Sequence, residues 1–146
     1  MRVLFSIVLV IAFATPEWLL NFESATNAAV KENKYILLNF SGSDWCGPCI
    51  KMKKEVFESE AFLSLAEEHL ILVRADFPRS KKNQLSKDQT KHNETLAGKY
   101  NPEGKFPFTV LLDSKGKVVK KWGGYVFSSQ DSFIAELKDT IVSGQK

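Results

Sequence analysis

The chain is predicted to fold as one α/β domain built on a central mixed sheet with helices on both faces. Three observations carry that prediction. The runs Tyr35–Phe40, Leu70–Ala75 and Thr109–Asp113 are continuously or nearly continuously apolar, as strands covered on both faces must be. Between the first two, apolar residues recur at helical spacing. After the third, Asp113-Ser-Lys-Gly116 reads as a turn, and Lys117–Trp122 alternates enough to be an antiparallel partner. A length of 146 residues suits one core and leaves no room for a second. A composition 44% hydrophobic and 25% charged excludes disorder and collagen-like repeats.

Residues 1–14 are read apart from this domain. Met1-Arg2 is a short positive start, Val3–Phe13 is nearly all apolar, and Ala12-Phe13-Ala14 is a small-x-small cleavage pattern. The apolar run is about a dozen residues, against the roughly 20 a membrane-crossing helix needs. The expectation is a signal peptide over 1–14 and one folded domain over 15–146; a buried N-terminal element or an uncleaved anchor are the other readings. Export would place the chain in the periplasm of a Gram-negative source, or outside the cell otherwise. It would also put both cysteines where disulfides persist.

Within 15–146, Ala25, Ala28 and Ala29 mark one face of a helix between Asn21 and Asn33. Tyr35–Phe40 is the first expected strand. After Cys46 a helix is predicted with Ile50, Met52, Val56 and Phe57 facing one way. Ser59 is placed to cap a further helical piece through Phe62, Leu65 and Ala66 to about Glu68. Leu70–Ala75 is the next strand. The polar stretch from Pro78 to Glu94, rich in Arg79, Lys81, Lys82, Lys87 and Lys91, is read as loop leading into a helix from Gln84 to about Tyr100. Ser128 is expected to cap the last helix, whose apolar face is Phe133, Ile134, Leu137, Ile141 and Val142.

The chemistry centres on Trp45-Cys46-Gly47-Pro48-Cys49. Two thiols three positions apart on the first turn of a helix are neighbours, so a disulfide closes with little movement. The first sulfur sits where free backbone N–H groups and the helix dipole favour a thiolate. That makes Cys46 the attacking residue and Cys49 the resolving one. Pro48 suits an early helical position, where its missing N–H has no partner to lose.

Three plainer readings stand beside this one. A Cys-x-x-Cys can be half a zinc site, but the chain has only two cysteines, and His69 and His92 lack finger spacing. It can be a structural disulfide, although so short a loop constrains the unfolded chain little. It can also be an inert remnant on a binding module. The two histidines are expected at the surface without a role. A formal charge of +3 is too mild to argue for nucleic acid.

The order strand, Trp-Cys-Gly-Pro-Cys, helix, strand, then Phe106-Pro107 before an antiparallel pair resembles the thioredoxin family. The likeness runs from about Trp18 to Ile141, which would make 15–146 a thioredoxin-like domain. Asn39-Phe-Ser-Gly-Ser-Asp-Trp-Cys46 is similar to exported thioredoxin-like proteins of bacteria, including the soluble parts of thiol–disulfide interchange proteins. The resemblance implies the thioredoxin fold, with Cys46 and Cys49 as redox pair and Trp45 beside an exposed Cys46 sulfur. Trp45, Gly47 and Pro48 would bind the substrate together with Phe106 and Pro107. Phe106 and Pro107 would hold a substrate peptide as an added strand, Pro107 being the family's cis-proline. Gly123 or Gly124 would line the same groove.

Several departures are visible, among them Phe106, which is bulkier than the family's usual residue before the cis-proline. The family's buried Asp before the motif corresponds here to Asn39, which cannot accept a proton, and Arg74 stands where a nearby lysine is common. The basic segment 79–91 is longer than in a minimal thioredoxin and reads either as a solvated excursion or as a docking surface for an acidic partner. The implied activity is reduction of protein disulfides without metal or organic cofactor. The implied partners are disulfide-containing proteins and a thiol reductant, membrane-embedded if the compartment is a bacterial periplasm. The chain would act as a monomer and bind no nucleic acid. A disulfide isomerase or oxidase on the same fold, or a non-catalytic peptide-binding module, are the alternatives.

Overall fold

The structure, a computed structural model, describes residues 15–125 and 130–144. The expected leader and the Ser128 cap lie outside these residues. Five strands form one sheet in the order β1-β3-β2-β4-β5. β1 is Trp18–Leu19, β2 Tyr35–Ser41, β3 Leu70–Asp76, β4 Phe108–Leu112 and β5 Val118–Gly123. β1, β3 and β2 run parallel, whereas β4 is antiparallel to β2 and β5 antiparallel to β4. The predicted mixed sheet is therefore the one observed. β1 is an addition to it, because two residues are too few to show a strand period.

The helices are α1 (Phe22–Glu32), α2 (Gly47–Met52), α3 (Glu60–His69), α4 (Lys87–Tyr100) and α5 (Gln130–Gly144). Their ends follow from local hydrogen bonds. Asn21 accepts the Ser24 N–H at 2.8 Å, Ser59 the Phe62 N–H at 3.2 Å and Ser86 the Gln89 N–H at 3.1 Å. Asn33 closes α1 in the left-handed conformation, with φ 52°. Ser86 takes the cap of α4, so that helix starts at Lys87 instead of Gln84. Gly116, at φ 81°, lets the chain reverse between β4 and β5, with its N–H on Asp113 O at 3.0 Å.

Side-chain alternation in the strands divides the core into two layers. Ile36, Leu38, Phe40, Val73 and Val110 pack with Ala25 and Ala29 of α1 and Leu96 of α4. On the opposite face, Leu37, Leu72 and Leu111 pack with Met52, Val56 and Phe57, with α3, and with Phe133, Leu137 and Ile141 of α5. Val142, expected on the apolar face of α5, is exposed instead.

The helix after the motif also departs from expectation. Met52, Val56 and Phe57 are buried, but Ile50 is 48% exposed. The cause is a π-helical turn over Lys53–Phe57 that continues α2. A π turn inserts about one residue and rotates the downstream residues by roughly 100° relative to a regular helix. Phe57 is thereby brought onto the face of Cys49, Met52 and Val56, while Ile50, seven residues earlier, stays in solvent.

Candidate active site

Cys46 is the N-cap of α2 and is joined to Cys49 by a disulfide with the Cα atoms 5.2 Å apart. The Cys49 N–H points at Cys46 Sγ at 3.2 Å. An N–H donor on that sulfur, at a helix start with no carboxylate in its first turn, favours its ionised form. Pro48 stands within the first two helical positions, where it costs no hydrogen bond. Both cysteines are buried in this oxidised state, Cys46 5% exposed and Cys49 4%. The exposed sulfur implied by family resemblance is thus not seen here. Gly47 and Pro48 between them are open to solvent.

The loop that delivers Cys46 is fastened to the end of β3. Cys46 N–H donates to Gly42 O at 2.9 Å, and Phe77 N–H to Ser41 O at 2.8 Å. The Ser43 N–H and hydroxyl both donate to the Asp76 carboxylate. Trp45 Nε1–H donates to Phe77 O at 2.7 Å. A side chain at Gly42 would overlap the Trp45 indole, so this position is glycine for close approach. Gly42 and Ser43 fall in the stretch that carries the resemblance, but nothing in the sequence gives them or Asp76 a role. Ser43 and Asp76 meet only when the chain returns more than thirty residues later, and the indole that Gly42 must clear is held by that same returning strand, so local pattern reveals none of them.

Opposite the loop, the Phe106–Pro107 peptide bond is cis. Phe106 stacks edge-on against Trp45 at 5.4 Å and against Phe77 at 5.5 Å between ring centroids. The three rings form one wall. Pro107 O accepts the Gly124 N–H at 2.8 Å, and Gly124 has φ 76°. Of the two glycines considered for the groove, Gly124 is the one whose backbone requires glycine. Among the described residues, Phe106 N–H and C=O make no hydrogen bond. A free donor and acceptor on one residue can pair with an extended peptide. Cys46, Cys49, Trp45, Phe106 and Pro107 are thus gathered at one end of the sheet.

Beneath this end lies Asn39, 2% exposed, whose Nδ2–H donates to Thr109 Oγ1 at 3.1 Å. Asn39 is in register with Thr109 on β4 and Arg74 on β3. Alternation places it on the face of Leu37, the face α2 covers. Arg74 stacks its guanidinium 4.2 Å from the Trp18 ring centroid. Burial lowers its pKa, against the opposing charges of Asp76 and Glu58. At the far side of α2, the Tyr125 hydroxyl donates to Glu55 and ties the end of β5 to the π turn. Burial, and then that contact, push its pKa up to about 12.

A family model for the thioredoxin-like domain matches residues 22–141. The chain belongs to the thioredoxin-like family. Over 113 residues this thioredoxin-like chain is 36% identical to the disulfide bond reductase DsbH of Chlamydia pneumoniae, a match covering 77% of the chain and 66% of that protein. It is 27% identical over 108 residues to the thioredoxin-related protein DsbJ of the same organism, covering 74% of the chain and 30% of DsbJ. It therefore spans just under two thirds of the first relative and under a third of the second. A solved structure of a DsbH oxidoreductase superposes with a TM-score of 0.78 at 28% identity, covering 97% of this chain and 94% of that one. The fold and the Cys-x-x-Cys pair are the equipment of a protein-disulfide oxidoreductase.

The segment after β3 is held against the motif by Asp44. Its carboxylate accepts the N–H groups of Arg79 and Ser80, each at 2.9 Å, and Asn83 Nδ2–H at 3.0 Å. The hydrogen bond from Arg79 N–H, then that from Asn83, hold the carboxyl below its ordinary value of 3.8. A depressed acid stabilises the folded contact above the unfolded pKa and loses it as pH falls through the folded one. Amide exchange at Arg79 and Ser80, corrected for intrinsic rates, is expected to be protected at pH 7 and to lose that protection as pH falls below the ordinary carboxyl value of 3.8. In Asp44→Ala it should be unprotected throughout. Protection persisting in Asp44→Ala would show that something else holds the turn.

The histidines differ from expectation. His92 is not a free surface residue, since its Nε2 accepts the Phe22 N–H at 3.1 Å and so braces the start of α1. His69 is half-buried beside Glu68 at 3.4 Å. Among the described residues, no His, Cys, Asp and Glu cluster could hold a metal ion.

Proposed function

We propose that this chain is an exported thiol–disulfide oxidoreductase that reduces disulfides in protein substrates. The observation that carries the proposal is Cys46 at the N-cap of α2, bonded to Cys49 and adjoining Trp45, whose ring packs on Phe106 beside the cis-Pro107. In the reduced protein, the Cys46 thiolate attacks one sulfur of the substrate disulfide. That S–S bond breaks, its other sulfur leaves as a thiolate and takes up a proton, and a mixed disulfide with Cys46 remains. Cys49 then gives up its proton and attacks Cys46 Sγ, which releases the second substrate sulfur. Two electrons have passed from the dithiol to the substrate, and the Cys46–Cys49 disulfide is restored. A separate thiol reductant must open it again, membrane-embedded if the compartment is a bacterial periplasm.

Phe106 N–H and C=O hold the substrate as an extended strand, with Trp45, Gly47, Pro48 and Pro107 around its cysteine. Thiol–disulfide exchange passes electrons between sulfurs alone, so the reading calls for no metal or organic cofactor, and the chain is read as acting as a monomer. The relatedness to a disulfide bond reductase supports the reductive direction. Insulin precipitation driven by dithiothreitol tests the reading: catalytic amounts of protein should shorten the lag. An unchanged lag with retained peptide binding would identify a binding module instead.

Export rests on the leader-like pattern of residues 1–14, and among the described residues no helix is long and apolar enough to cross a membrane. The mature N-terminus is expected near Thr15. Intact mass of protein recovered from the exported fraction checks this, and a full-length cytosolic product would contradict it.

A further inference from the structure

The turn that Asp44 fastens to the motif has a surface the redox chemistry does not use. Arg79, Lys81 and Lys82 are exposed, three cations within four residues, and Lys81–Asn83 forms a single 3-10 turn. The Arg79 guanidinium lies 3.7 Å from the centroid of the Trp45 ring. Among the described residues none of the three forms an ion pair. The nearest fixed carboxylate, Asp44, spends its oxygens on the backbone of the turn and on Asn83, not on these side chains. Asp76 is likewise occupied by Ser43.

A flexible lysine-rich loop would need no explanation beyond solubility. This one is held by three hydrogen bonds to the residue just before Trp45, and its leading cation lies over the indole. The Arg79 charge is therefore kept beside Trp45, the neighbour of Cys46, and the turn that carries Lys81 and Lys82 is anchored to the same loop. Unpaired cations of fixed position attract carboxylates and speed encounter, an effect that salt removes.

We propose that the 79–83 turn is a specificity element that selects disulfide substrates carrying Asp or Glu beside the target cysteine. The proposal rests on the oxidoreductase reading and names the substrate class for that site. Arg79, its guanidinium 3.7 Å from the Trp45 ring centroid, offers N–H donors to a carboxylate, while Lys81 and Lys82 add to the positive field of the same turn.

The test uses the full mature protein, reduced and freed of reductant, and three peptides with the same disulfide flanked by Glu, Gln or Lys pairs. The second-order rate of peptide reduction is read at low and high salt. At low salt the Glu peptide should react about 5- to 10-fold faster than the Gln peptide, with the Lys peptide slowest. At 0.5 M salt, on the order of the concentrations that collapse the Debye length, the three rates should converge. Lys81→Gln/Lys82→Gln should bring the Glu-to-Gln ratio towards one, and Lys81→Arg/Lys82→Arg should keep it. Equal rates for Glu and Gln peptides in the wild type would overturn the proposal while leaving the activity intact. So would a full Glu preference in the Gln double variant. Absence of reaction with every peptide would instead remove the oxidoreductase reading on which the proposal stands.

Discussion

Cys46→Ser is expected to lower disulfide reduction to the uncatalysed background, and Cys49→Ser to accumulate mixed disulfides with substrates. The asymmetry follows from the helix. Cys46 caps α2 and its sulfur receives the Cys49 N–H at 3.2 Å, whereas Cys49 lies within the first turn; both are buried. A thiolate at the cap gains from the donor and from the dipole, which lowers its pKa and raises its population at neutral pH. Among the described residues, no N–H donor reaches the other sulfur. Solvent exposure does not separate the two, so the distinction is electrostatic. Alkylation of the reduced protein at pH 7 should therefore label Cys46 first. Without Cys49, the substrate bonded to Cys46 has no internal thiol to displace it, and non-reducing gels should show the adduct. Equal labelling of both cysteines, or trapping by Cys46→Ser, would reverse the assignment.

Asn39→Asp is expected to speed the resolving step more than it alters Cys46 reactivity, at a cost in stability. Asn39 is buried on the face of the sheet that α2 covers, with its amide donating to Thr109. A carboxylate there loses that donated bond and meets a low dielectric, which raises its pKa. It can then accept the Cys49 proton as a general base near neutral pH, which an amide cannot. Burying the charge should cost about 1–3 kcal/mol, since it leaves a polar group poorly solvated. The Thr109 hydroxyl, turned to donate, and Arg74 in the paired register position offset part of this. Because the folded pKa would be raised, the cost grows as pH rises above the unfolded value near 3.9 and is complete above the folded one. Stopped-flow release from a preformed Cys46 mixed disulfide, from pH 6 to 9, measures the effect. Identical release in both proteins at every pH would show that position 39 does not serve Cys49.

The parts of the fold legible in the sequence are those whose signal is local. Tyr35–Phe40 and Leu70–Ala75 read as strands because both faces of each are covered, which leaves a nearly continuous apolar run. Asn21, Ser59 and Ser86 are capping residue types, although the polar run before Ser86 makes an earlier helix start equally readable. Cys46, Gly47, Pro48 and Cys49 are legible because their chemistry is set by spacing along three positions. Ile50 misleads because a π turn downstream shifts the helical phase, and nothing in Lys53–Phe57 announces that turn. Asp44 and Gly42 are silent for a different reason. One is an ordinary loop carboxylate until the chain returns, thirty-odd residues later, with the N–H groups of Arg79 and Ser80. The other is an ordinary loop glycine until the Trp45 ring folds back over it.

The reduction potential of the Cys46–Cys49 pair, measured by equilibration with glutathione, bears most directly on the reading of this chain as a disulfide reductant. A value near that of thioredoxin, about −270 mV, is expected. A value near that of the strong oxidant DsbA, about −120 mV, would contradict it, because such a disulfide would pass oxidising equivalents to its partners instead of removing them.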